Sequence, residues 1–340
     1  MSAPMIDTDV HCAPASFEAL FPYLDAYWRE YITGGTVRIG PALGGQYPMG
    51  APTTGGAPPA TVEALRERVS GFAILTCLSA FDANRNPYYE AALTRAINEW
   101  LRERWLDRDD RLRASLTVPT SDPEAAVAEI ERAAAHPGFV RVLLPVRSVD
   151  TRYGNRRYLP VLQAAADAGL PVALHAWGRV GNAPTATGFT HTYLEDYVAN
   201  SQVIVQGQLV SLIAEGVFER LPSLQVSLLE CGFSWLPALL WRFDKDWRGV
   251  WREVPWVKEN PSAYVYRHFR LTTEPAHLPR DDRHLAELLE MARASDVLMY
   301  ASDHPHDHGD GGTRLLAAVS EADRAAILHD NAAAHYGLDV

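Results

Sequence analysis

Cysteine is scarce: Cys12, Cys77 and Cys231 are the whole complement, an odd number with no C-x-x-C pair. That argues against a disulfide-stapled scaffold and against a thiolate metal site, and it fits a reducing compartment. All three lie in or just after apolar runs, the setting of small buried hydrophobes. Long hydrophobic runs are missing too. No stretch reaches the ~18 apolar residues that a membrane span requires, and the opening Met1-Ser-Ala-Pro-Met-Ile-Asp7 lacks the basic and apolar regions of a secretion signal. The expected location is therefore cytoplasmic, with no membrane partner. Positive charge is in deficit, with a formal net charge of −11, which removes the broad attraction to phosphate backbones that nucleic-acid binders use. There is no G-x-G-x-x-G after a strand, no G-x-x-x-x-G-K-[ST] and no G-x-S-x-G. Phosphate-loop nucleotide sites and the usual serine-hydrolase elbow lose their signatures.

What is present is a repeated alternation. Short β-rich apolar runs fall at 5–11, 72–79, 112–118, 140–146, 172–176, 225–230, 269–273 and 297–302. Between them, three- and four-residue apolar spacing predicts helices at 86–107, 122–135, 157–168, 190–216, 234–247 and 281–294. Ser121-Asp122-Pro123-Glu124 is a helix start, and Asp167-Ala-Gly169-Leu-Pro171 a helix stop just before a strand. Eight such βα units close a (β/α)8 TIM barrel, an α/β fold that fits the 340 residues as one domain over 1–340. Residues 13–70 exceed a simple connection and form an insertion after strand one, with an amphipathic helix at 16–31 and a Gly-, Pro- and Thr-rich stretch at 34–60. An insertion on that side of a barrel reads either as a substrate lid or as a surface loop.

The chemistry-bearing residues gather at the predicted strand ends. Asp9 and His11 are two apart on strand one and so share a face, and a carboxylate with an imidazole can chelate a divalent cation. His175 ends strand five and Asp303 ends strand eight. Each alone has an ordinary structural reading, a helix cap for an acid or a satisfied core group for a histidine. A barrel brings these ends to one mouth, where they support one another.

The motifs Ile6-Asp-Thr-Asp-Val-His11, Tyr158-Leu-Pro-Val-Leu-Gln-Ala-Ala, Gly169-Leu-Pro-Val-Ala-Leu-His175, Gly216-Val-Phe-Glu-Arg-Leu-Pro-Ser-Leu-Gln-Val226, Glu230-Cys-Gly-Phe-Ser-Trp-Leu-Pro237 and Ala301-Ser-Asp-His-Pro-His306 span nearly the whole chain. They resemble the amidohydrolase superfamily, and within it the amidohydrolase-related branch that includes aminocarboxymuconate-semialdehyde decarboxylase and related aromatic-acid decarboxylases, hydratases and lactonases. The ending Ile327-Leu-His-Asp-Asn-Ala-Ala-Ala-His-Tyr-Gly337 is similar to the family's closing helix.

The resemblance implies that Asp9, His11, His175 and Asp303 hold one divalent ion, Zn²⁺ or Mn²⁺. Two departures stand out. Asp9 occupies a position where the common pattern has histidine, which hardens the site toward Mn²⁺ without excluding Zn²⁺. Glu230 stands where many decarboxylases carry a histidine, and is read as an added ligand, a general acid with a raised pKa or an anchor for the loop bearing Trp235. Asp303 is read as both ligand and proton shuttle. Of the run His304-Pro-His306-Asp-His308, His304 is assigned to catalysis and His306 to substrate, with His308 on a solvent-exposed loop. Arg147 and Arg152, after strand four, are candidates to grip a substrate carboxylate, and Trp177, Phe233 and Trp235 to wall a ring.

The leading expectation is hydrolysis of a small organic acid, lactone or amide by a metal-activated water. The alternative is nonoxidative decarboxylation of an aromatic or unsaturated acid. A noncatalytic scaffold is the third reading, disfavoured because a scaffold has no need of the four ligands. Barrels of this family often pair, so a homodimer is a possible assembly.

Overall fold

The computed structural model describes residues 4–34, 56–82, 86–146, 151–176, 192–195, 198 and 201–340. Eight parallel strands follow one another in chain order: β1 (Ile6–His11), β2 (Phe72–Thr76), β3 (Leu112–Thr117), β4 (Phe139–Pro145), β5 (Val172–His175), β6 (Val226–Leu229), β7 (Phe269–Thr272) and β8 (Leu298–Met299). All eight coincide with the apolar runs. Every residue of β1 and β4 is buried, as expected for strands covered on both faces. β8 is shorter than its 297–302 run, and the chain beyond it closes the ring onto β1. Thr8 N–H donates to Tyr300 O (2.9 Å), Asp303 N–H to Asp9 O (3.1 Å) and His11 N–H to His304 O (2.7 Å). This is the expected (β/α)8 barrel.

Local chemistry explains the helix limits. Asp122 Oδ1 accepts from the N–H groups of Glu124 and Ala125 to start Pro123–Ala133, and Gly169, at φ +69°, ends the Leu159–Asp167 helix in a left-handed turn that suits glycine. The single helix expected at 16–31 divides in two. A 3-10 turn, Phe17–Tyr23, contains Pro22, and Asp25 then caps a new helix, Ala26–Thr33, through Trp28 N–H. Proline has no N–H to continue a helical ladder, so the break belongs where the sequence puts it. Of the insertion, 35–55 lies outside the described residues, and so does most of the 177–200 region that begins the predicted 190–216 helix; Ser201–Ala214 is its observed part. No helix among the described residues is long and apolar enough to cross a membrane.

The end of the barrel away from the mouth is plugged by the last helix. Ala332 and Tyr336 pack with Ile6, Ile74, Val140 and Met299. Beside them a polar chain is buried: the Tyr336 hydroxyl lies 2.9 Å from Ser227 Oγ, which lies 2.9 Å from His335 Nε2. Burial, followed by the positive charges of Arg270 and Arg141, pushes the His335 imidazole down to about 3. The folded chain thus keeps His335 neutral while the unfolded chain protonates it near 6.5, so this residue makes stability fall as pH drops from about 6.5 toward 3. Asp7 acts with the opposite sign, because burial raises it to about 7 against the Ser302 hydrogen bonds. Comparison with wild type isolates the histidine. His335→Gln is expected to flatten the acid-side fall of the urea-unfolding free energy by up to about 1.4 kcal/mol per pH unit, and identical pH slopes in the two proteins would disprove the assignment.

Candidate metal centre

Six chemistry-bearing side chains meet at the C-terminal mouth. Ligand atoms of Asp9, His11, His175 and Glu230 all lie within 4.8 Å of one another, as do those of His11, Glu230, Asp303 and His306. The four residues expected as ligands are thus brought to one place but divided between two overlapping groups, with His11 and Glu230 common to both. His11 Nε2 is 2.7 Å from Glu230 Oε1 and 2.8 Å from Asp303 Oδ1. His175 Nε2 is 3.1 Å from Glu230 Oε1 and 3.6 Å from Asp9 Oδ2.

The backbone makes this possible at some cost. Glu230 (φ 53°) and Asp303 (φ 54°) both adopt the left-handed region, just past the ends of β6 and β8. For a residue other than glycine that conformation costs on the order of 1–3 kcal/mol, and such strain concentrates at functional sites. Here it turns each carboxylate out of its strand and into the mouth. On β1 the pairing with β2 shifts between Asp7 and Val10, an irregularity that re-aims side chains.

Electrostatics then ask for positive charge. Asp9 and Asp303 are almost fully buried and Glu230 is partly so. Burial pushes the Asp303 carboxyl up, but its hydrogen bonds with His11, His306 and His308 outweigh this and hold it well below the usual carboxylate range. Burial and the Asp303 charge push Glu230 up, and the His175 and His11 imidazoles overcome both, leaving it below its ordinary value. Burial would lower His11, yet the flanking carboxylates Asp303 and Glu230 raise it well above its ordinary value. Meanwhile Asp9 Oδ2 is buried with no hydrogen-bond partner, 3.6 Å from His175 Nε2. An unsatisfied carboxylate oxygen beside imidazoles and further carboxylates is a group of side chains that could hold a divalent cation.

The other expected residues separate. His306 Nδ1 is 3.0 Å from Asp303 Oδ1, inside the cluster. His308 is no free loop residue: its Nε2 lies 2.6 Å from Asp303 Oδ2, and although burial opposes it, the Asp303 hydrogen bond raises its pKa. The reading of His308 as solvent-exposed is corrected accordingly, since a five-residue loop folds back onto the acid that begins it. His304 gives its carbonyl to His11 N–H, while its imidazole stands outside both groups. Trp235 turns its Nε1 onto the carbonyls of Cys231 and Gly232, bracing its own loop. Phe233 sinks fully into the core. Arg152 is exposed, its guanidinium beside Gly207. Arg147 and Trp177 lie outside the described residues. Arg141 was missed, although a lone charge inside the apolar run Phe139-Val-Arg-Val-Leu-Leu-Pro145 was a visible signal.

The comparisons with known proteins agree with this fold. The amidohydrolase family model matches residues 6–338. Gamma-resorcylate decarboxylase of Rhodococcus jostii is 27% identical over 268 residues, covering 73% of this chain and 77% of that protein. The crystal structure of 5-carboxyvanillate decarboxylase from Sphingomonas paucimobilis shares the fold at a TM-score of 0.72 and 19% identity, over 98% of this chain and 99% of that one. That of a dihydroxybenzoic acid decarboxylase from a Polaromonas species, with bound manganese and the inhibitor 2-nitroresorcinol, does so at 0.67 and 21% identity, over 100% and 98%. With a ring of eight parallel strands, acids and imidazoles converging at its mouth and a family match over nearly its full length, this chain belongs to the amidohydrolase family.

Proposed function

We propose that the protein catalyses nonoxidative decarboxylation of a hydroxy-substituted aromatic carboxylic acid. The observation that carries this reading is His308 Nε2 lying 2.6 Å from Asp303 Oδ2, an imidazole placed to supply a proton beside acids and imidazoles that could hold a divalent cation. The kinship with gamma-resorcylate decarboxylases supports it over the hydrolytic expectation. An apolar cluster of Phe81, Leu143, Ala173 and Leu229 lies beside the polar one, with Ala173 on the same strand face as His175, and suits one side of a ring.

Asp9, His11, His175 and Asp303, with Glu230, would hold the ion. When bound, a divalent cation supplies Lewis acidity toward the substrate carboxylate and its neighbouring oxygen. Glu230, which meets the His11 and His175 imidazoles, is assigned to holding the ion. The acid is Asp303, which receives a proton from His308 Nε2 on its Oδ2 and passes it to the ring carbon bearing the carboxylate. The carbon–carbon bond then breaks, its electron pair returns to the ring, and carbon dioxide leaves. One proton is consumed per turnover, and the partly exposed His308 regains it from water.

With Mn²⁺ or Zn²⁺ supplied, 2,6-dihydroxybenzoate and its hydroxybenzoate analogues are expected to release carbon dioxide, and prior stripping with a chelator to abolish that release until metal is restored. Hydrolysis of lactones or amides without carbon dioxide release would instead establish the hydrolase reading. Asp303→Asn should lower kcat by roughly 10²–10⁴-fold, the usual worth of a positioned proton donor. His308→Gln should lower it by about 10–100-fold with little change in KM; full activity in that variant would remove His308 from the proton path.

A further inference from the structure

Arg141 is fully buried in the middle of β4, its side chain inside the barrel beneath the mouth. Its guanidinium makes five hydrogen bonds: Nε to Ser115 Oγ (2.8 Å), Nη1 to Thr8 O (2.8 Å) and to the Tyr336 hydroxyl (3.0 Å), and Nη2 to Thr76 Oγ1 (2.9 Å) and to Asp9 Oδ1 (3.4 Å). Thr76 in turn donates its hydroxyl to the same Asp9 oxygen. Oδ1 of Asp9 is therefore occupied twice, once directly and once through Thr76. Oδ2 has no hydrogen-bond partner and lies 3.6 Å from His175 Nε2.

Both strands are irregular at these residues. The β1 pairing with β2 slips between Asp7 and Val10, and the β3 pairing with β4 slips between Ala114 and Ser115, immediately before Arg141 takes Ser115 as its partner. Bulges of this kind aim a side chain where a regular ladder would not. Within the slipped stretch of β1, the Thr8 carbonyl accepts from Arg141. A packed barrel layer made only of apolar groups would avoid the desolvation of a guanidinium, so a buried arginine with every hydrogen-bonding nitrogen aimed is better explained by what it holds than by the stability it adds.

We propose that Arg141 is the positioning residue of the metal centre: it pins Asp9 by Oδ1, directly and through Thr76, so that Oδ2 alone is presented to the cation. Its forked, planar donors suit this better than a lysine, which brings a single point charge. Tyr336 carries the same restraint to the last helix, because its hydroxyl accepts from Arg141 and meets Ser227. This inference rests on the reading that the cluster binds a divalent cation.

The test is Mn²⁺ affinity, read from the free-ion EPR signal as the chelator-stripped full chain is titrated, with the melting temperature of each metal-free protein measured alongside. Arg141→Met is expected to weaken Mn²⁺ binding by roughly 10–100-fold, Arg141→Lys to recover part of that loss, and Thr76→Val to weaken binding in the same direction. Changed melting temperatures with wild-type Mn²⁺ affinity in these variants would overturn the proposal and leave Arg141 a core residue only. If Arg141→Met does not fold, Thr76→Val decides, and unchanged affinity there overturns the proposal. A wild-type protein that binds no Mn²⁺ overturns the metal reading itself, and this inference with it.

Discussion

Three carboxylates drawn together in a largely buried space repel one another, and in a low-dielectric interior that repulsion is far stronger than in water. The mouth of this barrel offsets it with positive charge supplied at several depths. Arg141 lies below Asp9, the His11 imidazole sits between Glu230 and Asp303, and His308 meets Asp303. Asp9 Oδ2, buried without a hydrogen-bond partner, marks the place where this compensation remains incomplete. A divalent ion fits there by charge and by donor type.

Holding such a cluster requires a frame that does not relax away from it. The barrel provides one because its eighth strand is too short to close the ring alone, and residues 300–304 complete the seam with β1. The same hydrogen bonds that close the barrel set Asp303 against Asp9. Left-handed backbone at Glu230 and Asp303 is tolerated because the flanking strands, ladder bonds and side-chain partners over-determine both positions. Closure and site geometry are one arrangement.

The choice between cleaving a carbon–carbon bond and hydrolysing an ester or amide turns on where protons reside. The His175 and His11 imidazoles hold the Glu230 carboxyl below its ordinary value, and the Asp303 hydrogen bond raises the His308 imidazole. That balance depends on which imidazole meets which carboxylate, a matter of a few ångströms that no residue pattern records.

Much was nonetheless legible in the chain. The eight strands could be read because parallel barrel strands are buried on both faces and must be apolar runs, and the helix limits at Asp122 and Gly169 could be read because capping is local chemistry. Strand ends carrying Asp9, His11, His175 and Asp303 were likewise visible as residue types at boundaries. The sequence by itself thus determined the order of the elements and which side chains stand at their ends. Only the tertiary structure decided that Glu230 joins both ligand groups, that His308 folds back onto Asp303, that Trp235 and Phe233 serve loop and core, and that Arg141 reaches Asp9 from 132 residues away. Those outcomes depend on contacts between strands distant in sequence and on backbone turns into the left-handed region, and neither leaves a periodic trace in the residues that adopt them.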